Sequence, residues 1–145
     1  MAQQSYMAAI DRWEERVPEE LLAIAQQGIL NMIGAVVEDT PFDLGFLRGS
    51  WQPSVGGLPP PKASVTLDPG GGMALADASL EVANLTLGET FYYSNACVYA
   101  RRLEYGFVGE DSLGRTYNQA GRFYVTMNAM RWPGFVAQAV AEVGS

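Results

Sequence analysis

Apolar residues recur at helical spacing from residue 6 to residue 37 of this sequence. They begin with Tyr6, Ile10, Trp13 and Val17 on one face. The stripe continues through Leu22, Ala25, Ile29, Met32, Ile33 and Val36. Pro18 lacks a backbone donor and disfavours helix at the residue before it. The pattern therefore predicts a long N-terminal helix, either kinked near Pro18 or divided there into two.

After this helix the spacing of the apolar residues changes several times along the chain. Thr40-Pro41 ends the helix, and the stretch TPFDLGFLRGSW (40–51) has neither a helical nor a strand period. Alternating residues over 50–55 predict a strand that has an edge or a bulge at Pro53. Residues 64–67 are predicted to be its returning partner. The aromatic run over 90–94 predicts a further strand.

Helical stripes recur in the second half of the chain. They predict a helix over 75–85, a short helix over 98–103 and a C-terminal helix over 123–143 that Pro133-Gly134 kinks or divides. Residues 56–72 and 106–118 are predicted to be flexible loops. Strands do not alternate with helices as in βαβ units, so the expected fold class is α+β, with the terminal helices packed on a small, mainly antiparallel sheet. The 145 residues predict one domain.

Composition excludes several classes of function. There is no histidine and only one cysteine, Cys97, which excludes the usual catalytic triads, cysteine-rich zinc sites and an intrachain disulfide. The net charge of −7 argues against non-specific binding of nucleic acid. The apolar runs are broken by polar residues, and the segment MAQQSYMAAIDRWEE does not resemble a signal peptide. We therefore expect neither a membrane span nor export.

Individual candidate sites favour structural interpretations. Arg101-Arg102 between two tyrosines is more typical of a solvated helix surface than of a single-strand binding site. Asp77 and Glu81, four residues apart, are too few for a cation site, and Asp77 is expected to cap a helix. Cys97 is expected in the core. Three large residues near the C-terminus are expected in the core or, as the alternative, at an interface: Met127, Met130 and Trp132.

Three blocks in fixed order resemble a known family. They are DTPFDLGFLRGSW (39–51), FYYSNACVYARRLEYG (91–106) and YNQAGRFYVTMNAMRWPGFVAQAV (117–140). Together they resemble the neck or tail-completion proteins of long-tailed bacteriophages, and the resemblance covers nearly the whole chain. Two positions depart from the family pattern: Leu44 stands where threonine is usual, and the proline often found between Ala120 and Gly121 is absent.

The resemblance implies a structural virion protein without catalysis, cofactor or metal. Such proteins form a ring, generally of six subunits, that is assembled in the host cytoplasm and joins the head-side connector to the tail. The implied partners are further copies of the chain, a head-closure (stopper) or connector protein, a tail terminator or tail tube protein, and viral DNA that passes through without specific binding. The alternatives are a tail terminator ring capping the tail tube, a small carboxylate-based enzyme, and a cellular binding domain.

The resemblance and the residue types together assign three sets of positions. The structural turn comprises Thr40, Pro41, Asp43, Gly45 and Leu47, and Phe42, Phe46 and Leu47 are expected to anchor it to the core. The family-motif or interface set comprises Trp51, Asn95, Tyr99, Arg101, Arg102, Glu104, Tyr105 and Gly106. Glu110 and Asp111 are expected to face the lumen of the ring, where negative charge would keep DNA from adhering.

Overall fold

A computed structural model describes residues 2–41, 45–110 and 112–144, with side chains from residue 6 onward. The α+β fold class is confirmed. The helices are α1 (Ala2–Asp39), α2 (Phe46–Gly49), α3 (Gly72–Val82), α4 (Ala100–Tyr105), α5 (Thr126–Met130) and α6 (Trp132–Val143). The strands are β1 (Trp51–Val55), β2 (Phe91–Asn95), β3 (Gly106–Glu110) and β4 (Thr116–Ala120).

Helix α1 runs without interruption through Pro18, so the N-terminal segment is one helix rather than two. Its C-terminal half packs against α3, α5 and α6, and Ile33, Val36 and Val37 are buried there. By length and composition alone α1 would also suffice to cross a membrane, since an 18-residue window has a mean hydropathy of 1.4. The core helix of a soluble protein and a signal sequence near the N-terminus meet the same criterion, and 22% of the window is buried inside the fold.

Strands β1 and β2 form a two-stranded antiparallel sheet, in which Trp51 pairs with Asn95 and Val55 with Phe91. Because each strand has only one neighbour, Pro53 lies on an edge strand as predicted. The prediction of a returning strand over 64–67 is wrong: that segment is irregular, and the partner of β1 comes from much later in the chain. Helix α3 packs against β1.

The prediction of an irregular loop over 106–118 is also wrong. Strands β3 and β4 form an antiparallel hairpin there, with Gly106 opposite Ala120 and Glu110 opposite Thr116. The hairpin packs mainly against α4, and all residues of β4 are exposed. The hairpin therefore projects from the body of the protein.

The core lies between α1, α3 and the first sheet. It includes Leu47, Trp51, Ala78, Val82 and Cys97, which confirms the interpretation of the cysteine as a core residue. The predicted capping role of Asp77 is wrong, because this residue lies inside α3. The carboxylate of Asp68 instead accepts a hydrogen bond from the Ala74 amide at 2.9 Å, in the first turn of that helix.

The C-terminal helical segment divides as predicted, with α6 beginning at Trp132 and Pro133 in its first turn. The core prediction for the two methionines is wrong, because Met127 and Met130 are 60% and 78% exposed. Trp132 is partly exposed and lies beside Gly28 of α1. The interface alternative is therefore the one that the exposure of the methionines favours.

Candidate functional site

The predicted structural turn lies where α1, α2 and the segment before α3 meet. Gly45 has φ of +85°, and a Cβ at this position would lie 2.3 Å from the backbone nitrogen of Pro69. Its carbonyl accepts a hydrogen bond from the Asp68 amide at 3.0 Å. Both the backbone conformation and the close approach require glycine. Asp43, Phe42 and Leu44 lie outside the described residues.

Thr40 joins the end of α1 to the first sheet. Its side chain is buried, and Oγ1 donates to the Val36 carbonyl at 2.6 Å while accepting the indole N–H of Trp51 at 3.1 Å. The Trp51 ring in turn stacks on Tyr93 with centroids 4.6 Å apart. Pro41, half-buried, follows directly after the helix end. Thr40 and Trp51 are therefore fixed inside the fold and hold it together.

Arg48 is the residue at this junction that sequence reasoning missed. Its guanidinium is buried and donates to the carbonyls of Thr40 at 3.0 Å and Glu38 at 2.8 Å, and to that of Pro69. The first two are carbonyls at the C-terminal end of α1, where the helix leaves acceptors without helical partners. Arg48 thus ties the end of α1 to the segment that precedes α3.

Asn95 connects the same junction to the second motif block. Its Nδ2 donates to the Leu47 carbonyl at 2.8 Å, and its Oδ1 accepts the Cys97 amide at 3.0 Å. Leu47 itself is buried in the core as predicted, whereas the same prediction for Phe46 is wrong, because Phe46 is exposed. The first and second motif blocks are therefore in direct contact in the structure, although they are far apart in the sequence.

A second junction joins the second and third motif blocks. Buried Glu104 accepts hydrogen bonds from the amides of Val125 at 2.9 Å and Thr126 at 2.7 Å, and from the Thr126 hydroxyl at 2.6 Å. It thereby satisfies donors at the start of α5. Gly106, with φ of +86°, lies against the backbone of β4, where a Cβ would clash. Glu104 and Gly106 are structural residues of this junction.

The remaining exposed motif residues lie on α4, on the hairpin and just after it, and they form a surface together with the half-buried Phe107. We call it the aromatic–arginine face, and its members are Arg101, Arg102, Tyr105, Phe107, Tyr117 and Phe123. Arg102 lies over the Phe107 ring at 3.9 Å from the centroid, and Arg101 lies 5.9 Å from that of Tyr105. A groove of about 500 Å³ crosses this face and is also lined by Tyr99. This part of the predicted interface set is accessible to a partner.

Of the two acids predicted to face a lumen, Glu110 lies at the turn end of the hairpin. Glu110 is the last residue of β3 and is exposed. Asp111 lies outside the described residues. The position at the end of a projecting hairpin is accessible, and the direction in which it would point within an assembly stays a prediction.

A second groove of about 500 Å³, predominantly apolar, runs beside α1. It is lined by residues of α1, of the first sheet and of the start of α6, among them Ile29, Met32, Trp51, Phe91 and Trp132. Glu89 and Thr90 lie at its margin. The groove presents apolar surface rather than a set of converging reactive groups.

The titratable side chains of the described residues do not form a metal-binding cluster. Among the described residues no three carboxylate or cysteine side chains lie close enough to hold a metal ion. Burial raises the pKa of Tyr93, with Asp77 and Asp68 adding to the effect. Burial, with Glu104 and Cys97, raises the pKa of Tyr124 to about 12. Both tyrosines are therefore neutral at ordinary pH, which suits packing rather than proton transfer.

Comparisons of the chain with protein-family models, with curated proteins and with solved structures gave no significant match.

Proposed function

We propose that this chain is a structural subunit of the head–tail interface of a long-tailed bacteriophage. In this role it forms a ring, hexameric by the pattern of the family it resembles, that joins the head-side connector to the tail in the virion. Viral DNA passes through the ring without specific binding, and the subunit catalyses no reaction. The observation that carries the proposal is the order and spacing of the three motif blocks.

The contacts of the motif residues support this interpretation. Asn95 of the second block donates to the carbonyl of Leu47 in the first, and Glu104 of the second block binds backbone amides of the third. Residues shared by a family because they hold its fold together are expected at contacts of this kind. The blocks therefore specify a scaffold, as a protein with a mechanical role requires.

The exposed surface is also suited to assembly. Large apolar side chains are exposed on α1, on α4 and just before it, on the hairpin and on α5. They include Trp13, Val98, Tyr105, Val108 and Met130. The side chain of Val98, for example, is 92% exposed. Exposed apolar surface on this scale is typical of proteins that bury it against a partner. A ring subunit has two such neighbours and an axial partner on each side.

The proposal is tested with particles of the phage that carries this gene. Electron microscopy of particles made without the protein should show filled heads and tails that are not joined. Supplying the wild-type chain should restore joined virions, whereas supplying Gly45→Val, which the junction cannot accommodate, should not. Normal joined virions in the absence of the protein would exclude this role.

A further inference from the structure

The first turns of α1 form an exposed helical arm, residues 6–21. Tyr6 is 68% exposed and Trp13 is 58% exposed, and every residue of the arm is exposed except Ile10 and Val17, which are partly buried. At helical spacing Tyr6, Trp13 and Val17 share one face, which leaves an apolar stripe about 17 Å long without a described partner in its own chain. Such a stripe is expected to be covered in an assembly.

The charges of the arm and of the aromatic–arginine face are opposite. The arm carries five carboxylates against two arginines, whereas the face contains Arg101, Arg102 and no carboxylate. The segment 99–131 that includes the face carries five of the eight arginines in the chain against three carboxylates. One carboxylate of that segment, Glu104, is buried and bound to backbone amides. An acidic amphipathic helix and a basic aromatic groove are complementary in both charge and apolar character.

We propose that the arm of one subunit docks on the aromatic–arginine face of a second copy of the same chain. The apolar stripe with Trp13 covers the groove beside Phe107 and Tyr117. Glu14 at the edge of the stripe, and Asp11 three residues before it on the same flank of the helix, meet Arg101 and Arg102. The arginines keep their stacking on aromatic rings, since a guanidinium binds a carboxylate through its edge.

This contact is heterologous, because the arm and the face are different surfaces of one chain. Helix α1 is continuous from Ala2 to Asp39, so the arm is a rigid extension. Head-to-tail contacts of this kind propagate from copy to copy and produce a closed ring or an open filament. The expectation of a closed ring rests on the proposed function, whereas the contact itself does not.

Two charge-reversal variants test the contact in the purified full-length protein. The arm variant is Asp11→Arg/Glu14→Arg, and the face variant is Arg101→Glu/Arg102→Glu. Sedimentation velocity over a concentration series should show that the wild type associates. Either variant alone should associate about tenfold or more weakly, because the reversed charges replace attraction by repulsion at two positions. An equimolar mixture of the two variants should associate again, since it restores both kinds of contact. Raised salt should weaken the wild-type association.

A matched control carries the same change of charge elsewhere. Asp77→Arg/Glu81→Arg alters two carboxylates four residues apart on α3 and should leave association unchanged. Three results would each overturn the proposed contact. The wild type could be monomeric throughout the series, the variants could associate like the wild type, or the control could lose as much association as the variants. Photo-crosslinks from position 13 into the apolar groove beside α1, instead of into the hairpin, would do so as well. The proposed function is judged separately, by the joining of heads and tails in the particles.

Discussion

Replacing Arg48 by methionine tests whether the junction at the end of α1 holds the fold together. The guanidinium is 8% exposed and donates to three backbone carbonyls, from Thr40, Glu38 and Pro69. Hydrogen bonds with a charged partner contribute about 1.5–3 kcal/mol each, and bonds within one network are not additive. Methionine keeps most of the apolar stem but supplies no donor. We expect a loss of about 3–5 kcal/mol, a large part of the roughly 5–15 kcal/mol that is typical of a domain.

The assay is equilibrium unfolding in urea, followed by tryptophan fluorescence, with the free energy extrapolated to water. Arg48→Lys should lie between the wild type and Arg48→Met, because an ammonium keeps the charge but cannot span the three carbonyls. Arg122→Met removes an exposed arginine and should change stability by less than about 0.5 kcal/mol. If Arg48→Met unfolded within about 0.5 kcal/mol of the wild type, the argument that this arginine joins α1 to the segment before α3 would fail.

Further outcomes are expected for other variants, from the same unfolding assay where the variant folds. Tyr93→Phe should leave stability unchanged or raise it, because its phenol oxygen is buried without a hydrogen-bond partner among the described residues, whereas Tyr124→Phe should lose about 1 kcal/mol with the bond to the Ala100 carbonyl at 3.0 Å. The pKa of Tyr124 is about 12 in the folded protein, against about 10 for an unfolded tyrosine. The contribution of Tyr124 to the free energy of unfolding is therefore complete below about pH 10 and should be lost as the pH rises to about 12. A plot of unfolding free energy against pH that is as steep for Tyr124→Phe as for the wild type would contradict this. Glu104→Gln should lower the free energy of unfolding by about 2–4 kcal/mol, because the NH2 group of glutamine is a donor and cannot accept from the backbone N–H groups. A urea midpoint equal to that of the wild type would contradict this expectation. Gly45→Val should give no soluble folded protein, whereas valine at the open position Gly57 should be tolerated.

The sequence predicted the elements whose patterns are long or strongly periodic. The helix over 6–37, the strand at Trp51 and the aromatic strand β2 are all present, because burial of one face imposes the same period on sequence and structure. The turn at Gly45 was also predictable, since Thr40-Pro41 and the glycine carry conformational preferences of their own. These are cases in which local chemistry and the overall fold agree.

The failures occurred where pairing depends on distant residues. Local alternation places the partner of β1 over 64–67, but its true partner β2 begins at Phe91, and no local pattern records such a pairing. The hairpin of β3 and β4 lies where the sequence predicts a loop, because glycines and charged residues interrupt its period. A mostly exposed hairpin needs no alternation of apolar and polar residues, so its sequence lacks the usual signal of a strand.

The buried network was the hardest part to predict. Arg48 has the composition of a surface residue, and a lone arginine in a turn gives no sign that three carbonyls surround it. Glu104 was recognised only through the family resemblance, because no local pattern places it beside the amides of Val125 and Thr126. A buried charge is recognisable only once the groups that satisfy it have been brought together by the fold.

Polar and apolar residues are distributed in an unusual way between the junctions and the surface. Thr40, Arg48 and Glu104 are buried at contacts between elements, while Trp13 and Val98 are exposed to solvent. Burying charged groups stabilises a fold only when their partners are complete, which both junctions achieve. The core uses other large apolar residues, among them Trp51 and Leu47, and Trp13 and Val98 do not contribute to it. The distribution therefore favours a subunit whose fold is fixed by polar junctions and whose exposed apolar surface is reserved for assembly.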